Sequence, residues 1–150
     1  MQQLKQQLHA LCMQQIEQRI ATASEAMNMA NSSANDETKS SAGDKYETTR
    51  EMIQQEIDKL SAAIAEAVAQ KQLLELISTQ RIHDTVQSGS IVETDKNVFY
   101  ISVAAGAIII DNKKYLAISP SSPIGNKMIG LKQGDDFVFN NIKQTIISVQ

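Results

Sequence analysis

Tryptophan is absent from this chain of 150 residues, and cysteine occurs once. A lone Cys12 excludes an intramolecular disulfide and a multi-cysteine zinc site. Proline is confined to Pro120 and Pro123, and five of the six glycines lie beyond residue 88. No apolar run approaches the ~20 residues a membrane helix needs; the best, Ala104 to Ile110, is strand-sized. The opening stretch, MQQLKQQLHALCMQQ, has no uninterrupted apolar core, so no cleaved secretory signal is expected. Charge of either sign is modest, 17 acids against 14 bases. That balance argues against broad backbone binding of nucleic acid by counterion release, and against sequence-specific DNA binding. A cytoplasmic protein without membrane attachment is the expectation.

The asymmetry in glycine, proline and aromatics divides the chain. Before residue 89 there is one glycine (Gly43) and one aromatic (Tyr46), whereas Phe99, Tyr100, Tyr115, Phe137 and Phe139 all follow. Two architectures therefore share the sequence. In the first, apolar or small residues recur at Leu4, Leu8, Cys12, Ile16, Ile20, Ala23, Met27, Ala30 and Ala34. The later steps form a heptad seam. A second seam reads Tyr46, Arg50, Ile53, Ile57, Leu60 and Ile64, with Val68 and Leu76 beyond. The residues between are rich in Gln, Glu, Lys and Ala, which favour helix.

Facing positions of an antiparallel hairpin have residue numbers with a constant sum. Ala34 with Tyr46, Met27 with Ile53, Ile20 with Leu60, Cys12 with Val68 and Leu4 with Leu76 all share one. This register predicts an antiparallel coiled-coil hairpin over 1–79, turning near Ser40. Cys12 and Met27 then read as packing residues, and His9 and His83 as surface residues. The tip, 36–47, concentrates carboxylates, and the register places Asp36 opposite Asp44. Clustered carboxylates are hard oxygen ligands able to hold a hydrated Mg²⁺ together with a partner's ligands. The bland alternative is that Asp44 caps the second helix with Glu47 at capping-box spacing, while Asp36 and Glu37 are solvated loop charge.

After about Thr79 the period changes. Strands are expected at 90–93, 97–102, 107–110, 115–118, 137–139 and 145–149, with turns at 94–96, 111–113 and 134–136. Pro123 to Ile129 reads as one short helix with proline in its first turn. The expected class is α+β, with a small sheet domain over 80–150. Phosphate-binding glycine loops, nucleophile elbows and metalloprotease motifs are all missing.

The run Ile118-Ser119-Pro120-Ser121-Ser122-Pro123-Ile124-Gly125-Asn126-Lys127-Met128-Ile129-Gly130-Leu131-Lys132-Gln133-Gly134-Asp135-Asp136 resembles the C-terminal signature of the GreA/GreB transcription elongation factors. Asp44-Lys45-Tyr46-Glu47-Thr48-Thr49-Arg50-Glu51 is similar to that family's entry into its second helix. The resemblance implies an FKBP-like C-terminal module and bacterial RNA polymerase as partner. It further implies docking through the signature residues Ser122, Pro123, Ile124 and Gly125, and a hairpin inserted in the polymerase secondary channel. Tip carboxylates, here Asp36, Glu37 and Asp44, would help hold a Mg²⁺ of the polymerase active centre and promote cleavage of backtracked RNA. Contact with nascent RNA would be indirect.

Such a factor has no active site and binds no cofactor alone; clustered oxygen ligands act within the polymerase's two-metal chemistry. Aligned on Tyr46, the family's two critical acids fall on Lys39 and Ala42. The resemblance therefore also admits a secondary-channel regulator without cleavage activity. A coiled-coil interaction scaffold would need an apolar outer face. A prolyl isomerase would need Phe99, Tyr100, Phe137 and Phe139 around a cavity. A thiol acyltransferase would need a histidine beside Cys12.

Overall fold

The computed structural model describes residues 2–37 and 43–150, with side chains described over 2–35 and 47–150. The chain is α+β, a long N-terminal helical hairpin followed by a six-stranded mixed sheet with one short helix. Helix α1 spans Gln2–Glu37 and α2 spans Gly43–Glu75. The expected turn near Ser40, with Lys39 and Ala42, lies outside the described residues. Two compact units emerge from the packing, one of residues 16–71 and one of residues 1–15 with 72–150.

Within residues 16–71 the helices lie antiparallel on the expected seams. Ile16 is fully buried, and Ile20, Ala23, Met27, Ala30 and Ala34 are half-buried, as are Ile53, Ile57, Leu60 and Ile64. From there the second seam runs through Ala67 rather than Val68, which is exposed. Arg50 is likewise exposed while Thr49 is half-buried.

The register also differs from the expected one. Glu17, expected opposite Ala63, pairs instead with Lys71 at 3.3 Å, and Arg19 and Ala23 share a shallow groove with Ala63, Ala67 and Gln70. The arms are thus shifted by about one heptad. A pattern that repeats every seven residues matches apolar to apolar again after such a slip, so the seams alone admit both settings. The Glu17–Lys71 pair is half-exposed, and an exposed pair contributes only about 0.2–1 kcal/mol. The buried seam supplies most of the stability.

In the other unit, β1 (Ile91–Thr94), β2 (Val98–Ile101), β3 (Gly106–Ile110), β4 (Lys113–Ile118), β5 (Asp136–Phe139) and β6 (Ile142–Val149) form one sheet in the order β3-β4-β2-β1-β6-β5. Only β2 and β4 pair in parallel; the other neighbours are antiparallel. Two-residue turns at Asp111-Asn112 and Asn140-Asn141 have positive φ at both positions, from 49° to 63°. That conformation matches the twist of a tight hairpin and suits Asn and Asp. The second turn lengthens β6 beyond the expected 145–149.

Helix α3 (Pro123–Met128) covers one face of the sheet. Its core comprises Val86, Val92, Phe99, Ile101, Met128, Phe137 and Ile146, with Ile124 and Phe139 packed against it. Phe99 and Phe137, two of the aromatics an isomerase pocket would need, are packing residues here. The opposite face carries Tyr100 and Ser102, and Cys12 Sγ lies 3.9 Å from Ser102 Oγ. Cys12 is fully buried, as the seam implied. Burial pushes its thiol up to about 11, against a smaller lowering by the Ser102 hydroxyl.

Candidate functional site

The run from Ile118 to Asp136 leaves β4, makes a turn and enters α3. Ser122 takes an extended conformation (φ −65°, ψ 158°) and caps the helix: its Oγ accepts from the Gly125 amide at 3.1 Å. The same hydroxyl donates to the Ser119 carbonyl at 2.6 Å. Pro123 occupies the first turn, where its missing amide proton leaves nothing unsatisfied. Gly125 is buried, and a β-carbon there would collide with the Ser119 carbonyl oxygen and crowd Pro120 O at 3.0 Å. Ile124 packs against the sheet core. Ser122, Ile124 and Gly125 are therefore explained first by how the turn is built.

What the turn presents outward is different. Ser121, Pro123, Asn126, Lys127 and Ile129 are exposed. The Asn126 amide donates to the Ser121 carbonyl at 3.2 Å, and the Ser119 and Ser121 hydroxyls lie 2.8 Å apart. A rigid rim thus carries one apolar ring, one branched aliphatic and one cation. Of the four residues to which the resemblance gives docking, Pro123 is exposed, Ser122 and Ile124 are half-buried and Gly125 is buried. Ser121 and Ile129 lie just outside α3, before its cap and after its last turn, so no helical phase marks them in the sequence.

Of the tip carboxylates, Asp36 and Glu37 belong to the last turn of α1 and Asp44 to the first turn of α2. Their side chains lie outside the described residues. Among the described residues, no group of three or more His, Cys, Asp or Glu side chains is arranged to hold a metal ion. No helix among them is long and apolar enough to cross a membrane.

His83 departs from expectation. It is only 7% exposed and its Nδ1 lies 2.8 Å from Ser90 Oγ. Ser90 is fully buried and already accepts from the Gln87 amide at 3.1 Å. A Ser90 hydroxyl that donates to Nδ1 corresponds to the neutral ring with its proton on Nε2. Burial, and then the charges of Lys5 and Arg81, hold the His83 pKa below its ordinary value. His9, expected at the surface, is half-buried, with Nε2 2.8 Å from the Leu74 carbonyl.

No protein-family model matches the chain, and no curated protein matches it. Among solved structures it is similar to the structure of the transcription factor Gfh1, at 16% identity and a TM-score of 0.37. The alignment spans 91% of this chain and 92% of that one. A likeness at that level assigns neither family nor function.

Proposed function

We propose that the chain is a Gre-like transcription factor that binds bacterial RNA polymerase. In this reading the sheet domain docks at the rim of the secondary channel and the hairpin enters it. Asp36, Glu37 and Asp44 then share a Mg²⁺ with the polymerase active centre and stimulate cleavage of backtracked RNA. The factor contributes ligands, while the bond-breaking site belongs to the polymerase. The observation that carries the reading is the capped Ser119–Gly125 turn, with Pro123 and Ile129 exposed on its rim. It coincides with the stretch that resembles the GreA/GreB signature. Support also comes from the hairpin, whose seam is consumed between its own arms and whose outer residues are mostly polar. That surface suits a hydrated channel better than a helical scaffold.

Transcript cleavage in stalled, backtracked complexes tests the proposal, comparing the wild type with an Asp36/Glu37/Asp44→Ala variant. Acceleration by the wild type and loss in the variant is expected. Polymerase binding without acceleration would overturn the cleavage role and favour the regulator without cleavage, the reading to which Lys39 and Ala42 point. Absence of polymerase binding would overturn both.

A further inference from the structure

Beside the sheet, a groove of about 260 Å³ is lined by Leu73 in the last turn of α2, by the segment that follows, and by Ser102 and Pro120. Its polar wall includes Arg81, His83, Ser78 and Ser88, and its apolar wall Leu76 and Ile77. Gly89, at φ 92°, lies against two of these residues: a β-carbon there would meet Ile77 Cγ2 at 3.0 Å and His83 Cε1 at 3.4 Å. The buried Lys5 ammonium donates to the Arg81 carbonyl at 2.7 Å, which fastens the cationic segment to α1.

The ionisable side chains of the wall, Arg81 and His83, are both basic. With Nδ1 turned to Ser90, Nε2 is the ring nitrogen on the side away from Ser90, and it is a donor in the tautomer whose Nδ1 accepts from the Ser90 hydroxyl. Arg81 offers only donors. Among the described residues, no carboxylate lies in ion-pair range of Lys5, Arg81 or His83. His83 is buried and Arg81 exposed; N–H donors of this kind with no carboxylate in ion-pair range attract an oxyanion, and guanidinium is the side chain best matched to one. The volume decides the rest, because it falls just below the ~300–1,000 Å³ of ordinary small-molecule sites. Leu76, 82% exposed, and Ile77 supply an apolar wall that a bare inorganic ion would leave uncovered.

We propose that this groove binds a small organic oxyanion, a phosphate or carboxylate carried on a compact apolar body. The head lies against Arg81 and His83 Nε2, and the body lies against Leu76 and Ile77. The groove borders the signature turn at Pro120, but the proposed contacts are Arg81, His83, Leu76 and Ile77, and they do not depend on polymerase binding.

Calorimetric titration of the full chain tests it with phenyl phosphate, phenylacetate, inorganic phosphate and phenol. Saturable one-to-one binding of phenyl phosphate or phenylacetate is expected, with inorganic phosphate and phenol each at least tenfold weaker. The tighter of the two organic anions identifies the head group. Arg81→Ala should weaken that anion tenfold or more without changing the fold, because Lys5 bonds the backbone carbonyl, which the substitution leaves in place. Leu76→Asn should weaken the organic anions and leave inorganic phosphate unaffected. Failure of both organic anions to bind, or undiminished affinity in Arg81→Ala, overturns the proposal. Phenol binding as tightly as the anions overturns it equally.

Discussion

A β-carbon built on Gly125 would land on the carbonyl oxygen of Ser119, six residues earlier in the chain. The obstacle is backbone on one side and the Ser122 hydroxyl, 2.9 Å away, on another. The turn therefore exists in this shape only because residue 125 has no side chain. Gly125→Ala should lower stability by about 1–3 kcal/mol, the usual cost of overpacking, read as a drop in thermal midpoint. Under the proposed function it should also impair polymerase binding, although residue 125 is buried.

Removal of the cap is a milder perturbation of the same turn. Ser122→Ala deletes the acceptor for the Gly125 amide and the donor to the Ser119 carbonyl. A loss of about 0.5–2 kcal/mol is expected, measured by denaturant unfolding, with Ser122→Asp or Ser122→Thr recovering part of it. An alanine variant as stable as the wild type would show that the cap is not needed to hold the turn.

Acid should destabilise the chain through His83. Its folded pKa is depressed below the unfolded value near 6.5. The unfolded state therefore takes up its proton first, and the stability present above about pH 6.5 is lost as pH falls toward the folded pKa. Protonation of Nδ1 also removes the acceptor for the Ser90 hydroxyl and adds a charge beside Lys5 and Arg81. Thermal midpoints at pH 7.5 and pH 5 should diverge more for the wild type than for His83→Gln, whose amide oxygen can accept from Ser90 without titrating. Equal divergence would assign the acid sensitivity elsewhere.

Cys12 should resist alkylation in the native state. With its thiol raised to about 11 and its side chain fully buried, the thiolate is a minor species at pH 8, and thiolate is what reacts. Iodoacetamide should label the chain in denaturant and not under native conditions, followed by mass. Rapid native labelling would mean that this part of α1 opens readily.

The shifted register makes a direct prediction for the arms. In a Cys12→Ser background, Ile20→Cys with Ala67→Cys should oxidise to a disulfide, and Ile20→Cys with Leu60→Cys should not. Mild oxidation followed by gel mobility distinguishes them. The reverse outcome would restore the register expected from the seams.

The two helices, six strands and short helix were legible because each carries its own period and its own punctuation. Pro123 marked α3, and Asp111-Asn112 marked one hairpin. The hairpin register was less so, since apolar spacing repeats every heptad and only off-seam contacts such as Glu17 with Lys71 choose between settings. Val68 and Leu76 were read as seam residues because they are large and apolar, yet Ala67 keeps the phase. The burial of His83 was hidden because its partner, Ser90, lies across a turn whose course depends on a positive φ at Gly89. In the signature turn, Ser122 and Gly125 build the local fold, while Pro123 and its neighbours Ser121 and Asn126 are exposed.

The sheet is three ribbons, β1–β2, β3–β4 and β5–β6, each closed by a short local turn and then laid side by side. Local ribbons form within microseconds, while contacts between distant segments wait for chain closure. As the chain is made from its N-terminus, β1 can pair at once with β2, but its other edge stays open until β6 arrives some fifty residues later. An open strand edge invites foreign strands. Synthesis therefore passes through an interval in which the growing domain is vulnerable to aggregation along β1, and the last strand made is the one that ends it.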